Sequence, residues 1–289
     1  MRVVEFEKLR ETQQQAAEIL GPIAAAIPNY RDTDPKSRYT PWEKAWNQSF
    51  LVLEDYDGDI HDAISGIDLL IRAYHATRLR DVNVLQTQGL LRLGIDRVRR
   101  ELLLFAEQVV GKTVPQAVVQ RWIEETEEPT AYLPLRAAST GPVFSLGVAP
   151  MFQLAKTGRY FIEGGEIIYH IAPVLSVLLR THESSFTMSD QEFWEQYWAP
   201  AAPALVICDL RYDGLLPEKQ GDIRRCLVRA ALYQDSTDGR CEGGWIELSA
   251  DQDIPPEWIV NVLQPDIDQG AVSFGCQLDL YRRPTYWEL

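Results

Sequence analysis

Apolar and polar positions follow a helical period near the start of the chain and a strand-like pattern beyond residue 66. Between residues 4 and 27, apolar side chains recur every three or four residues, as at Leu9, Ala16 and Ile19. This spacing predicts one amphipathic helix. The helix is expected to end at Pro28, because proline lacks the backbone donor that a continuing helix needs.

The patterns in residues 30–66 are weaker. The polar, proline-containing stretch 30–40 predicts a linker. Residues 42–64 mix aromatic side chains with the acidic run Asp55–Asp59, which predicts an exposed turn. This run does not predict a calcium loop, because the later glutamate ligand of an EF-hand is missing. We expect residues 1–66 to form a helical N-terminal segment.

Short apolar runs separated by helical patterns dominate the rest of the chain. The predicted strands are 69–75, 143–146, 166–171, 204–210, 244–249 and 272–281; the predicted helices are 82–91, two between 95 and 125, and 150–157. A proline pair opens the apolar stretch 254–262. Strands and helices do not alternate strictly, which favours an α+β fold over a doubly wound parallel sheet. We assign residues 67–289 to this domain.

Composition narrows the functional classes. The chain has 289 residues, of which 46% are hydrophobic, enough for a sizeable core. A net charge of −14 disfavours broad adhesion to nucleic acid or anionic membranes, although arginines between residues 72 and 100 leave room for a local basic groove. No apolar stretch reaches the roughly 20 residues of a membrane span, and no signal peptide is evident, so we expect a cytoplasmic protein with no membrane partner.

Several common catalytic and metal-binding motifs are missing from the sequence. The four cysteines show no CxxC spacing, so we expect reduced thiols and no metal site. There is no phosphate-binding GxxxxGK[ST] loop, no GxGxxG after a strand and no HExxH. The stretch 143–147 fails the GxSxG pattern of α/β-hydrolases because it begins with Val143.

Three separated segments carry the strongest functional signal. The first is YHATR at 74–78 with Gly89-Leu90, the second runs from VFSL at 143–146 through Gly158-Arg159-Tyr160 to GGEIIY at 164–169, and the third is WIELS at 245–249 with IPPEWI at 254–259. In this order they resemble the ADP-ribosyltransferase superfamily, which includes toxins directed at nucleic acids and the related RNA 2′-phosphotransferases. The resemblance covers roughly residues 67–263.

The resemblance implies a split β-sheet core with helical insertions and an enzyme that uses NAD+ as substrate. For the first segment it implies that His75 binds the adenine-side ribose, with Thr77 and Arg78 beside it. For the second it implies that Arg159 faces the pyrophosphate or the acceptor and that Phe144, or Tyr160 in its place, offers an aromatic face to nicotinamide. Ser145 would be the polar residue at the strand end.

Glu247 is our candidate for the catalytic carboxylate, acting with His75. The family's chemistry needs a carboxylate near the ribose, because the transition state resembles an oxocarbenium ion. Glu247 lies eight residues before Pro255, about the distance that the family's closing segment requires, and Glu242 is its rival. Structural roles remain open: His75 as a core residue, Arg159 paired with surface glutamates, and Glu247 on the solvent face of a half-buried strand.

The expected activity is transfer of ADP-ribose from NAD+ to a protein or nucleic acid, in a bacterial toxin or phage-defence effector that an antitoxin could neutralise. Two alternatives of the same fold are an RNA 2′-phosphotransferase and an NAD+ glycohydrolase. A noncatalytic binding protein is a third, favoured by the acidic charge and by eight tryptophans suited to an interface.

Overall fold

The computed structural model describes residues 1–31, 41–79, 81–91, 142–147, 201–233, 247–249, 252–268 and 271–273, together with isolated residues between these ranges. Its architecture mixes helices with a mixed sheet, which agrees with the expected α+β class.

Two long strands form the centre of the sheet. Strand β2 (Leu69–Leu79) pairs antiparallel with β4 (Ala202–Arg211) along its length, from Leu70 opposite Arg211 to Leu79 opposite Ala202. Apolar residues predominate in both strands, and Ile71, Ala73, Val206 and Cys208 on the face towards the helices are fully buried. The two strands predicted at 69–75 and 204–210 are therefore confirmed, and both extend further than predicted.

Shorter strands complete the sheet on either side of this pair. Strand β3 (Val143–Ser145) lies beside β2, and β5 (Glu247–Ser249) lies beside β3. On the other side β6 (Ile259–Leu263) pairs with β4, so the order is β5-β3-β2-β4-β6. Strands β7 (Asp266–Asp268) and β8 (Ala271–Ser273) form a separate two-stranded sheet.

The N-terminal segment belongs to the same sheet and core as the rest of the chain. Strand β1 (Arg2–Val4) pairs in parallel with the first residues of β2, on the edge that β3 occupies further along. Helices α1 (Leu9–Leu20) and α2 (Pro41–Ser65) pack with α4 (Pro217–Leu232), and their apolar residues share one cluster with Ile71, Ala73 and Cys208 of the sheet. Short helix α3 (Asn83–Gln88) follows β2.

The single helix predicted over residues 4–27 is wrong at both ends. At its start Val4 belongs to β1, which pairs with β2, and α1 begins only at Leu9. Its end is Leu20, since Gly21 has a φ of +52° and two 3-10 turns follow, Gly21–Ala25 and Ile27–Tyr30.

The exposed turn predicted at Asp55–Asp59 is also wrong, because α2 runs through it. Buried apolar side chains at Val52, Ile60 and Ile64 lie on one side of this helix at helical spacing. The acidic residues between them face solvent, and Asp57 makes a 2.7 Å ion pair with Arg224 of α4. Burial of the apolar face outweighs the roughly 1 kcal/mol that Gly58 costs in a helix.

Helix α4 was not predicted, although the sequence carries its signals. Pro217 stands in its first turn, and Ile223, Cys226, Leu227 and Ala230 recur at helical spacing and are buried. The predictions for residues 95–125, 150–157, 166–171, 244–246 and 274–281 lie largely or wholly outside the described residues.

Two of the four cysteines, Cys208 and Cys226, fall within the described residues; both are buried and neither forms a disulfide. Burial, together with the charge of neighbouring Asp209, raises the pKa of the Cys208 thiol to about 12.

A cluster of charged side chains occupies the sheet face opposite the helices. Arg72 binds Asp209 through two hydrogen bonds of 2.5 and 3.0 Å, and it lies 3.7 Å from Glu5. The Tyr74 hydroxyl, fully buried, donates to the Glu5 carboxylate at 3.1 Å. Lys8 adds an ion pair to Glu5 at 3.1 Å. The carboxylates are thus matched by cations, which offsets the cost of removing them from water.

We expect Arg72→Ala to lower the free energy of unfolding by roughly 2–4 kcal/mol, because it leaves the largely buried Asp209 without the cation that hydrogen-bonds to it and removes the more distant of the two cations beside Glu5. Urea unfolding followed by circular dichroism measures this change. Arg211→Ala is the matched control, since Arg211 pairs with Asp213 at the exposed end of β4 and its loss should leave the unfolding midpoint nearly unchanged. Equal effects of the two substitutions would contradict the assignment.

Candidate functional site

His75 lies in a row of apolar positions that crosses the sheet. The register aligns it with Phe144 of β3 on one side and Val206 of β4 on the other, and the row continues to Leu248 of β5 and Val262 of β6. The rings of His75 and Phe144 are in contact, with centroids 5.5 Å apart. His75 is therefore a polar group set into an otherwise apolar row.

One nitrogen of the His75 ring has a structural partner. Nδ1 lies 2.8 Å from the backbone oxygen of Val143, and because a carbonyl only accepts, Nδ1 must carry the hydrogen. This bond continues the link between β2 and β3 beyond the backbone pair Tyr74–Ser145. The expected structural role of His75 is thus partly correct.

The other nitrogen, Nε2, has no hydrogen-bond partner within the described residues. Burial lowers the pKa of His75, and the bond to Val143 only partly counters that effect, so the ring is neutral at pH 7. With the hydrogen on Nδ1, neutral Nε2 is an acceptor. The side chain is partly exposed, so a ligand can reach Nε2. A ligand hydroxyl would supply the hydrogen that this acceptor needs.

Thr77 is the next polar residue on the same face of β2, because residues two apart in a strand project to one side. It is partly buried and lies opposite Ala204 of β4. Thr77 and His75 thus form a short polar strip on this face of the sheet.

Phe144 and Ser145 are both buried in this structure. Only 2% of Phe144 is exposed and its ring contacts that of His75, so it offers no open face to nicotinamide in this structure. Tyr160, the alternative, lies outside the described residues. The Ser145 hydroxyl donates to the backbone oxygen of Gly147 at 2.9 Å and accepts from its nitrogen at 3.3 Å. Ser145 therefore fixes the turn that follows β3.

Arg78 projects to the opposite face from His75. Its guanidinium donates to the backbone oxygens of Phe161, at 2.7 Å, and Ala201. Burial lowers the pKa of Arg78. These bonds attach the chain around residues 161 and 201 to the end of β2, which gives Arg78 a structural role beside the expected one.

Glu247 begins β5, two strands away from His75. The register aligns its position with Ser145 and, through β3, with Tyr74, so it lies one row away from His75, on the opposite face of the sheet. Strand spacing gives a backbone separation of about 10 Å between β5 and β2. Arg159, Tyr160 and Glu242 lie outside the described residues.

The turn after α3 meets the proline segment near the end of the chain. Leu90 and Ile254 exchange two backbone hydrogen bonds of 2.9 and 2.8 Å, and both side chains join the cluster that contains Phe144 and Val206. Gly89 has a φ of +73°, and a Cβ built there would lie 1.9 Å from the Ile254 oxygen. The first and third sequence segments thus meet through a glycine.

Sequence reasoning identified His75, Gly89 and Ile254 but could not show these contacts. Val143 acts through a backbone oxygen, which any residue supplies. Leu90 and Ile254 also pair through backbone atoms. The sequence does signal one of these contacts through Gly89. A glycine just after a helix indicates a left-handed backbone conformation that other residues rarely adopt.

No family model, curated protein or solved structure matches this chain. Within the described ranges, no helix is long and apolar enough to span a membrane, and no group of three or more histidine, cysteine or acidic side chains is suited to a metal ion. The functional assignment therefore depends on the geometry around His75.

Replacing Gly89 by alanine should destabilise the protein, because the backbone conformation alone costs on the order of 1–3 kcal/mol and the added Cβ collides with Ile254. Gly58→Ala in α2 is the matched control, since nothing lies within 4 Å of its added Cβ. That substitution should raise stability by about 0.5–1 kcal/mol. Thermal and urea unfolding test both; a Gly89→Ala protein as stable as the wild type would refute the close contact.

The lowered pKa of His75 predicts a pH dependence of stability. As the pH falls through about 6.5, the unfolded chain binds a proton at this residue that the folded chain does not, so the free energy of unfolding decreases until the pH reaches the folded-state pKa. His75→Asn should lose this contribution while its amide keeps a donor near Val143. Urea unfolding between pH 5 and 8 measures the difference, with His61→Asn, an exposed position of α2, as control. An unchanged pH dependence in His75→Asn would show that His75 titrates alike in both states.

Proposed function

We propose that this protein is an enzyme that transfers ADP-ribose from NAD+ to a macromolecule, with the ribose bound at His75. The observation that carries the proposal is the convergence of three segments far apart in sequence. The strands of these segments, β2, β3 and β5, are neighbours, and Leu90 pairs with Ile254. They are the segments that resemble ADP-ribosyltransferases.

In the proposed reaction the bond between nicotinamide and C1′ of the ribose breaks, and its electron pair leaves on the nicotinamide nitrogen. A nucleophilic atom of the acceptor bonds to C1′ and gives its proton to a carboxylate. Glu247 is the proposed carboxylate, with Glu242 as its rival. Neutral Nε2 of His75 accepts a hydrogen bond from a hydroxyl of the adenine-side ribose and so positions the dinucleotide.

The position of Glu247 favours a second candidate function, that of an RNA 2′-phosphotransferase, and the test therefore includes it. Its row differs from that of His75, and an RNA 2′-phosphotransferase of this fold need not carry a glutamate on this strand. Such an enzyme would consume NAD+ only with RNA that bears a 2′-phosphate. NAD+ hydrolysis and noncatalytic binding are the remaining outcomes.

The first experiment incubates the protein with labelled NAD+ alone and then with protein, DNA, RNA or 2′-phosphorylated RNA. We expect nicotinamide release together with label on one acceptor, measured by mass spectrometry. Glu247→Gln should lower the rate by about 10²–10⁴-fold, and Glu242→Gln should not.

Each other outcome has a distinct meaning. Loss of activity in Glu242→Gln alone would transfer the carboxylate role to Glu242. Free ADP-ribose with no label on any acceptor would indicate hydrolysis, and loss of RNA 2′-phosphate would indicate the phosphotransferase. The catalytic proposal would be refuted if the protein unfolds cooperatively, and is therefore folded, but consumes NAD+ with none of the acceptors.

A further inference from the structure

We infer that the outer face of helix α2 is a docking surface for a basic, amphipathic segment of a partner protein. This face lies on the side of α2 away from the buried residues Ser49, Ile60 and Ile64. Its residues are all exposed and recur at helical spacing; they are Asn47, Leu51, Glu54, Asp55, Gly58 and Asp62, with Phe50 at the border. Docking there is measured without NAD+, so it does not depend on the proposed function.

Two large apolar side chains, Phe50 and Leu51, are exposed next to each other on α2. Their exposed fractions are 46% and 52%, whereas the following residue, Val52, is fully buried. Within the described residues they are the only consecutive pair of large hydrophobic side chains that is exposed. Single exposed apolar residues are ordinary on a protein surface, but adjacent ones bordered by polar residues are typical of an interaction site.

The Phe50 ring is held in place before any partner binds. Its centroid lies 5.7 Å from that of Trp46, with the two rings nearly perpendicular, and the Arg225 guanidinium lies 4.4 Å from it. Asp222 binds Arg225 at 3.0 Å and offsets its charge. A ring that is already fixed loses little conformational entropy on binding, which favours Phe50 as an anchor of an interface.

Carboxylates follow Leu51 along the outer face. Between residues 54 and 62, α2 carries five acidic residues and no lysine or arginine. Asp57 is paired with Arg224, and Asp55 accepts a hydrogen bond from Tyr30. The remaining three form no ion pair with any described residue; they are Glu54, Asp59 and Asp62. Like charges at this spacing repel one another, and a cationic partner relieves that repulsion.

The charge of this surface determines the kind of partner. Nucleic acid and anionic lipid present phosphates, which the carboxylates repel. A second copy of the chain would bring the same carboxylates together, because a two-fold contact joins identical faces. A basic segment with a large apolar side chain fits both features, since its lysines or arginines meet the carboxylates while its apolar side chain covers Phe50 and Leu51.

The test titrates a fluorescently labelled helical peptide of leucine and lysine with the full chain and follows its anisotropy. We expect binding that weakens as salt is added, because salt screens exposed charges. Leu51→Ser should weaken binding about tenfold by removing the apolar contact. Glu54→Gln combined with Asp62→Asn should flatten the salt dependence, because two of the attracting charges are gone.

Two exposed positions elsewhere provide matched controls. Val84→Ser removes an exposed apolar side chain from α3, and Glu18→Gln removes an exposed carboxylate from α1. Both should leave the dissociation constant of the peptide unchanged. Leu51→Lys is a second variant of the anchor: it places a cation among the carboxylates and should abolish binding, while its exposed position leaves the unfolding midpoint close to that of the wild type.

Four results would overturn the inference. The first is a wild-type chain that does not bind the lysine peptide, and the second is equal binding of the same peptide with glutamate in place of lysine. The third is unchanged affinity in Leu51→Ser and Leu51→Lys, which would place the binding elsewhere on the acidic surface. The fourth is a dimer, detected by light scattering, that Leu51→Ser dissociates, which would assign this face to a second copy.

Discussion

The antiparallel pairing of β2 with β4 is the constraint on which the rest of the structure depends. It determines which side chains of β2 face the helices and which face the charged cluster. A shift by one residue would exchange the two sets, burying Arg72 under the helices and moving His75 to the other face. The apolar cluster on one side and the matched charges on the other therefore specify the same register.

Arg72 and His75, two polar residues of β2, are accommodated in the protein in different ways. Arg72 keeps its charge because Asp209 and Glu5 surround it. His75 has apolar neighbours and one backbone acceptor, so it stays neutral with its second nitrogen directed at no protein group that the structure describes. The first arrangement stabilises the fold, and the second leaves a hydrogen-bonding atom for a ligand.

Sequence patterns predicted the elements whose signals are local and continuous. The apolar runs of β2 and β4 and the glycine after α3 were recognised because each is visible within a dozen residues. Strand β1 was missed since three residues carry no period, and α2 was misread because Asp55–Asp59 resembles a turn when its buried face is unknown. Two features could not be predicted from local patterns: the Val143 oxygen as acceptor for the Nδ1 hydrogen of His75, and the alignment of Glu247 across the sheet. Both depend on strand register, which arises only when distant segments pair.

The shared edge of β2 has a consequence for synthesis of the chain. Strand β1 and helices α1 and α2 leave the ribosome before β2, so one edge of β2 can pair as soon as it emerges. Its other edge waits for β4, more than a hundred residues later, or roughly 10 s at ordinary rates of translation. An apolar strand with an open edge is prone to aggregate. The three residues of β1 therefore cover one edge of β2 at Leu69–Ile71 during the interval before β4 is synthesised.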